Sequence, residues 1–216
     1  MLPVIPLYVK IIMTVALSAI AVFLFLRLGG QSRRLCMIAM LLSTVGDFFM
    51  TDVFGIGSFS TYPGAAFFMA AHVVYGGCFA KALKEKGGRY FGCGFWTGLV
   101  FMVPTAAGLG IAAFTIPEKP QTVMFLLILL YIAVIGYNLC SNFAFSFAEK
   151  GQYLVLPFAI ILFYATDIFI FLEMLNVTDA MRYYVWYGYP LAQLALILFN
   201  SPLKKRSASD RMPHMF

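Results

Sequence analysis

Apolar residues are arranged along the chain in seven long runs, which are separated by short segments of glycine, proline and charged residues. The runs cover residues 5–26, 35–53, 62–82, 91–114, 121–147, 152–175 and 182–200. Each run is close to the roughly 20 residues that an α-helix needs to cross a bilayer. The pattern therefore predicts an all-α fold, a polytopic bundle of about seven transmembrane helices joined by short loops.

The composition excludes a water-soluble protein. Of the 216 residues, 62% are hydrophobic and 11% are charged, and the mean hydropathy is +0.89. Soluble domains carry about 25% charged residues, so this chain lacks the side chains for a hydrated surface. A soluble enzyme, a disordered protein and a nucleic-acid-binding protein are excluded despite the net charge of +6. We expect one transmembrane domain over residues 1–203 and a basic cytoplasmic tail over residues 204–216.

The basic residues predict an orientation. Twelve of the 15 Lys and Arg residues fall at the end of the first, third and fifth runs, in the loops that follow them or in the tail, and Lys10, Lys119 and Arg182 fall on the other side. Because cytoplasmic loops carry the excess of Lys and Arg, the N-terminus is predicted outside and the C-terminus inside. The short loops favour a bacterial inner membrane, with the endoplasmic reticulum as the alternative.

A few polar side chains fall deep inside the apolar runs. An Asp at the centre of a spanning helix costs about 2.5–3.5 kcal/mol, so such residues usually face a bundle interior or an aqueous cavity. The six deepest are Asp47, His72, Asn138, Asn142, Asp167 and Gln193. Polar or aromatic neighbours three or four residues away extend these positions into stripes on five helices, which we expect to converge on one cavity. Interhelical hydrogen bonds alone are the alternative, and they suffice for Ser43, Ser141 and Asn138.

The fourth run contains a GxxxG pattern, formed by Gly94 and Gly98. Small residues at this spacing let two helix backbones approach closely. We interpret the pattern as close packing of the fourth helix. It is weak support for dimerisation, so it does not define an oligomeric state.

Four short strings, taken in order, carry a more specific signal. They are LLSTVGDFFM at 41–50, FFMAAHVVYGGCF at 67–79, LPFAIILFYATDIFIF at 156–171 and YYVWYGYPLAQ at 183–193. Together they resemble the lysoplasmalogenase family of integral membrane proteins, also called the YhhN family. The matching positions are Lys10, Gly46-Asp47, His72 with Tyr75, Thr166-Asp167, and Tyr183-Tyr184 with Gln193. The resemblance covers nearly the whole chain and depends on the order and spacing of the motifs.

The resemblance implies hydrolysis of the vinyl ether bond of a lysoplasmalogen to a fatty aldehyde and glycerophosphoethanolamine or glycerophosphocholine. It implies Asp47, Asp167 and His72 as catalytic residues. Cleavage of a vinyl ether needs a proton donor and an anion beside the developing oxocarbenium ion, so two carboxyl groups suit the reaction as they do in glycosidases. His72 is expected to orient water or to shuttle the proton. No metal and no cofactor are expected.

Substrate-binding residues are expected around the same cavity. Lys10, near the outer end of the first helix, is expected to meet the substrate phosphate. The other expected substrate-binding residues are Tyr75, Asn138, Asn142, Tyr184, Tyr187 and Gln193. The expected partners are a lysophospholipid, which enters sideways from the bilayer, and membrane lipids, with no nucleic acid.

Three other functions were compared with this one. A zinc-dependent seven-helix hydrolase typically uses several intramembrane histidines, whereas His72 is alone within the predicted helices. A retinal protein needs a lysine inside its last helix, and the chain has none between Arg182 and Lys204. A proton-coupled transporter or a lipid-binding membrane receptor stays open, because paired intramembrane carboxylates also serve as proton relays.

Overall fold

The computed structural model describes residues 5–115, 122–148, 155–174 and 182–199. Within these ranges the chain forms seven α-helices, one short 3-10 helix at Gly57–Ser60 and no strand. The α-helices are α1 (Leu7–Leu28), α2 (Gln31–Met50), α3 (Thr61–Glu85), α4 (Cys93–Thr115), α5 (Thr122–Ala148), α6 (Val155–Met174) and α7 (Arg182–Phe199). The predicted all-α bundle of seven helices is confirmed, with helix ends a few residues from those of the apolar runs. The predicted tail, residues 204–216, lies outside the described residues.

The surface of the bundle is apolar. Among the described helices, the segments Leu7–Leu28, Thr61–Glu85 and Phe125–Ala148 are long and apolar enough to cross a membrane. Large apolar side chains are exposed on all seven helices, for example Val100 on α4 at 69% and Phe158 on α6 at 71%. A surface of this kind is stable against lipid and would aggregate in water. These features are those of a membrane protein, while its orientation and its membrane stay predictions.

Six helices form a closed ring. Contacts run from α1 to α2, then to α3, α5, α6 and α7, and α7 returns to α1. Helix α7 also contacts α2, and helix α4 packs against α5. The ring explains why polar stripes on separate helices meet, because each helix turns one face towards the centre.

Helix α4 approaches α5 closely at its two glycines. A Cβ atom on Gly94 would lie 2.9 Å from Cα of Ala144, and one on Gly98 would lie 2.9 Å from Cα of Cys140. Both neighbours are backbone atoms of α5, which cannot move aside as a side chain does. The interpretation of the GxxxG pattern as a close packing surface is therefore confirmed.

The turn after α2 has a defined geometry. Asp52 adopts a positive φ of 53°, a conformation that Asp and Asn tolerate better than most residues. Its carboxylate accepts hydrogen bonds from the backbone N–H groups of Ile56 at 2.9 Å and Gly57 at 3.1 Å. Glycines at positions 55 and 57 also have positive φ values. The turn thus folds back on the side chain of Asp52 and leads into α3.

Candidate active site

A pocket of about 440 Å³ lies between α1, α2, α3, α6 and α7. It is lined by Leu7, Lys10, Asp47, Met50, Thr51, Asp52, Thr61, Phe68, Asp167, Ile170, Val185, Trp186 and Tyr189. These residues include positions in the first turns of α1, α3 and α7, in the last turn of α2 and in the second half of α6. The pocket therefore lies at one end of the bundle, and both predicted catalytic carboxyl groups face it.

Asp47 is held by donors from two other helices. The hydroxyl of Thr14 on α1 donates to Oδ2 of Asp47, and the hydroxyl of Tyr189 on α7 donates to the same oxygen at 2.9 Å. All three side chains are buried within the bundle. Because both donors converge on Oδ2, Oδ1 is the oxygen on which a neutral carboxyl group would carry its proton.

A chain of two hydrogen bonds holds the hydroxyl group of Tyr189 in position. Tyr75 on α3 donates to Oε1 of Gln193 at 2.6 Å, and Nε2 of Gln193 donates to the Tyr189 hydroxyl at 3.1 Å. Tyr189 and Gln193 are four residues apart and therefore share a face of α7. Gln193 and Tyr75, both predicted to bind substrate, lie one and two hydrogen bonds, respectively, from Tyr189, which lines the pocket. Their hydrogen bonds hold Tyr189 in place, and their contact with substrate stays a prediction.

Asp167 belongs to a second cluster, which joins α3, α5 and α6. Nε2 of His72 lies 3.1 Å from Oδ2 of Asp167, and Nδ2 of Asn138 lies 2.9 Å from Nδ1 of His72. Tyr131 also forms a hydrogen bond with the Asp167 side chain. An amide nitrogen only donates, so Nδ1 of a neutral His72 accepts and Nε2 carries the proton towards Asp167. Asn138 thereby selects the tautomer.

Aromatic rings lie between the two clusters. The ring of Phe163 on α6 is 4.7 Å from the His72 ring and 5.3 Å from the Tyr189 ring, measured between centroids. Tyr131 meets His72 edge to face at 5.7 Å. These contacts restrict the side-chain rotamers of His72 and Tyr189, so both carboxyl groups have rigid neighbours.

Lys10 and Trp186 meet at the pocket. Nζ of Lys10 lies 5.0 Å from the centroid of the Trp186 ring, which is cation–π distance, and both residues line the pocket. The aromatic positions at the start of α7 are typical of an interfacial belt, yet Trp186 faces the protein. Tyr184 is half exposed, Tyr187 is partly buried, and neither is among the described lining residues. Their role in substrate binding stays a prediction.

Asn142 is fully buried on α5, one turn from Asn138. Neither of its amide atoms has a hydrogen-bond partner among the described residues, and it is not one of the residues there that line the pocket. The two asparagines of the predicted polar stripe on α5 therefore differ in their hydrogen bonds. Asn138 contacts His72, whereas Asn142 forms no hydrogen bond with either carboxyl group.

Among the residues that contact Asp47, Asp167 or Lys10, four were not predicted as site residues. They are Thr14, Tyr131, Trp186 and Tyr189. Helical spacing offers a signal for three of them, because Thr14 follows Lys10 by four residues, Tyr131 precedes Asn138 by seven and Tyr189 precedes Gln193 by four. Trp186 offers no such signal, since its sequence context is that of a membrane-interface aromatic.

One protein-family model matches the part of the chain that forms the helices and the pocket. The model of the YhhN family matches residues 6–199. The match includes all seven described helices and every residue of the two clusters. No curated protein and no solved structure matches the chain.

Proposed function

The chain belongs to the YhhN family, and from this premise we propose that it is a membrane-embedded hydrolase that cleaves the vinyl ether bond of lysoplasmalogens. The observation that carries the proposal is that two buried carboxyl groups, those of Asp47 and Asp167, line one pocket. Buried carboxyl groups in a membrane helix bundle are costly and mark functional sites. In such a pair, one carboxyl group can donate the proton and the other can stabilise the cationic intermediate.

The reaction has two demands that two carboxyl groups can meet. A proton is first transferred to the β-carbon of the vinyl ether, which leaves an oxocarbenium ion. Water then adds to the α-carbon, and the hemiacetal collapses to the aldehyde and the glycerol hydroxyl. The first step needs an acid in contact with carbon. The second needs an anion beside the cation and a base for the attacking water.

We assign the acid to Asp47. Its two hydrogen-bond donors, Thr14 and Tyr189, are neutral hydroxyl groups that meet Oδ2 and leave the proton to Oδ1. A carboxyl group with neutral neighbours lacks the cation that would stabilise it as an anion in a low-dielectric site. Transfer of this proton to the substrate leaves Asp47 as a carboxylate, and both hydroxyl donors remain in place to stabilise it.

We assign the anion and base to Asp167. His72 donates to Oδ2 of Asp167 and stabilises the carboxylate, which accepts the proton released by the attacking water. Asn138 and Tyr131 hold the pair in position through hydrogen bonds to the imidazole and to the carboxylate. In this arrangement His72 and Asp167 act as one unit, whose hydrogen-bond partners differ from those of the acid.

The pocket suits a single-chain amphiphile. Its volume of about 440 Å³ lies in the range of small-molecule sites, about 300–1,000 Å³. Asp47 is in the last turn of α2, so the reacting groups lie close to the end of the bundle. The vinyl ether of a lysoplasmalogen is attached directly to the glycerol backbone, close to the headgroup. Its reacting bond therefore reaches this depth while the alkyl tail remains among apolar side chains.

A proton-coupled transporter is the second candidate. The hydrogen-bonded pair of His72 and Asp167 favours it, since such pairs relay protons in pumps and transporters. The two functions differ in product. A transporter moves its substrate unchanged, whereas the hydrolase releases a fatty aldehyde.

The experiment is aldehyde release by the purified protein in detergent. The substrate is a 1-alkenyl lysophosphatidylethanolamine, and the control is its 1-alkyl analogue, which has the same shape but no vinyl ether to protonate. We expect aldehyde from the alkenyl lipid alone, with one aldehyde per glycerophosphoethanolamine. Failure to release aldehyde, with the alkenyl lipid taken up intact by proteoliposomes under a proton gradient, would support the transporter and overturn the hydrolase.

A further inference from the structure

The lining of the pocket includes two groups of opposite charge that come from the ends of two helices. Lys10, in the first turn of α1, and Asp52, two residues after the end of α2, both line the pocket. The acid–base chemistry proposed above uses neither side chain. A surface with one fixed positive and one fixed negative group is complementary to a zwitterion, which has the same two charges in the opposite places.

The carboxylate of Asp52 is held by its own loop. Oδ1 accepts hydrogen bonds from the backbone N–H groups of Ile56 and Gly57, and Oδ2 lies 3.2 Å from the same N–H of Gly57. Two backbone donors make three contacts with a group that offers about four acceptor positions. The side chain is therefore fixed in place and retains acceptor capacity for a donor from the pocket.

The loop that carries Asp52 has the character of a membrane interface. Its exposed apolar side chains are Val53, Phe54, Ile56 and Phe59. Exposed aromatic and aliphatic groups beside a charged residue are typical of segments at headgroup depth. Asp52 follows Asp47 by five residues and lies beyond the end of α2, on the headgroup side of the reacting bond.

The two common zwitterionic headgroups differ in how they meet a carboxylate. A primary ammonium has three N–H donors and forms short, charge-assisted hydrogen bonds with a carboxylate oxygen. A trimethylammonium has no donor and is best held by the faces of aromatic rings. Of the aromatic rings that line the pocket, Trp186 already has Nζ of Lys10 over its face at 5.0 Å, and Phe68 and Tyr189 pack against each other edge to face.

We propose that Asp52 binds the ammonium group of the substrate and selects ethanolamine over choline headgroups, while Lys10 meets the phosphate. The proposal rests on the proposed function for the identity of the lipid. Asp52 acts here as a specificity-determining residue that contacts the headgroup and not the reacting bond.

The experiment measures equilibrium binding of 1-alkyl lysophospholipids, which have no vinyl ether and are not consumed. Three headgroups are compared: phosphoethanolamine, phosphocholine and phosphoglycerol. The chain has two tryptophans, so a Trp96→Phe background leaves the fluorescence of Trp186, in the pocket, as the reporter. We expect a Kd for the ethanolamine lipid at least tenfold below the Kd values for the other two.

Asp52→Asn is the matched variant. Asparagine tolerates the positive φ, and its amide oxygen still accepts the two backbone hydrogen bonds, so the loop is retained while the charge is lost. We expect the Kd for ethanolamine to rise about tenfold and the Kd for phosphoglycerol to stay within twofold. Glu85→Gln, which removes an exposed charge at the end of α3 away from the pocket, should change none of the three values.

Two results would overturn the assignment of Asp52. One is equal affinity of the wild-type protein for ethanolamine and choline lipids, which needs no variant. The other is an ethanolamine preference that persists in Asp52→Asn. Because the alkyl lipids are bound and not cleaved, a preserved preference without aldehyde release from alkenyl lipids would count against the hydrolase alone. Aldehyde release without a preference would count against Asp52 alone.

Discussion

The imidazole of His72 meets the carboxylate of Asp167 at 3.1 Å, although the two residues are 95 positions apart in the chain. The contact joins α3 to α6 inside the bundle, where His72 is 1% exposed and Asp167 is 4% exposed. A buried ionisable pair is stable only when its remaining hydrogen-bonding groups are satisfied. Asn138 on the imidazole and Tyr131 on the carboxylate provide these bonds, so the pair is built as part of a network.

Replacing either carboxyl group by its amide should separate catalysis from folding. Asp47→Asn and Asp167→Asn keep shape and hydrogen-bond acceptors, but neither amide can protonate carbon or balance an oxocarbenium ion. We expect each to lower kcat for aldehyde release at least 100-fold, about 2.7 kcal/mol of barrier. Melting temperature in detergent should hold, because asparagine keeps an acceptor oxygen for the same hydrogen-bond donors. Near-normal turnover by a folded variant would remove that residue from the mechanism.

The two asparagines of α5 should behave differently. Asn138→Leu removes the hydrogen bond to Nδ1 of His72, and leaving a buried acceptor without its donor costs about 1–3 kcal/mol. We expect kcat to fall about tenfold with KM unchanged, because Asn138 supports the imidazole without lining the pocket.

Asn142→Leu is the matched control one turn away. Its buried amide has no partner among the described residues, so leucine removes an unsatisfied group, and melting temperature should hold or rise. Activity should stay within twofold. A loss of activity equal to that of Asn138→Leu would return Asn142 to the substrate-binding residues predicted from the sequence.

Lys10 should affect binding more than turnover. Lys10→Met retains a long apolar side chain near Trp186 but loses the charge that meets the phosphate. A phosphate contact is made in the ground state and in the transition state alike, so KM should rise about tenfold while kcat changes less than twofold. Lys10→Arg should retain most of the affinity. A fall in kcat at constant KM would instead place Lys10 in the chemical step.

The contact between α4 and α5 should depend on Gly98. Gly98→Ala places a methyl group 2.9 Å from Cα of Cys140, and overpacking of this kind costs about 1–3 kcal/mol. We expect a lower melting temperature. Gly108→Ala is the control on the same helix, since its added Cβ meets nothing within 4 Å and alanine favours a helix by about 1 kcal/mol. Equal effects of the two variants would show that the close approach is not needed.

Cysteine labelling tests the predicted orientation. Cys93 is exposed, so a Cys93→Ser background is needed. A new cysteine at Phe59 or at Lys84, both exposed positions, then reports on the two ends of α3. The excess of basic residues in the loop after the third run predicts that an impermeant reagent outside the cell labels Phe59→Cys and spares Lys84→Cys. The opposite pattern would reverse the topology.

The sequence alone determined the helices and the residues that lie deep in them. Hydropathy is a local property, so apolar runs of about 20 residues and their polar interruptions define seven helices without knowledge of their neighbours. Asp47, His72 and Asp167 stand out for the same reason, because a titratable side chain inside such a run needs a partner or a cavity.

The tertiary structure decided which of these side chains meet. Helical spacing places Asn138 and Asn142 on one face, but only the rotation of α5 against α3 puts one of them on His72 and leaves the other without a partner among the described residues. The sequence context of Trp186 is that of an interfacial aromatic residue. Only the contact of α7 with α1 shows that its ring lies beside Lys10. The sequence of Asp52 and its neighbours indicates only a loop. The geometry of the turn after α2 places Asp52 in the lining of the pocket. The residues that share one face of a helix follow from its own sequence. The rotation of that helix and the residues it meets on other helices follow from packing across the whole bundle.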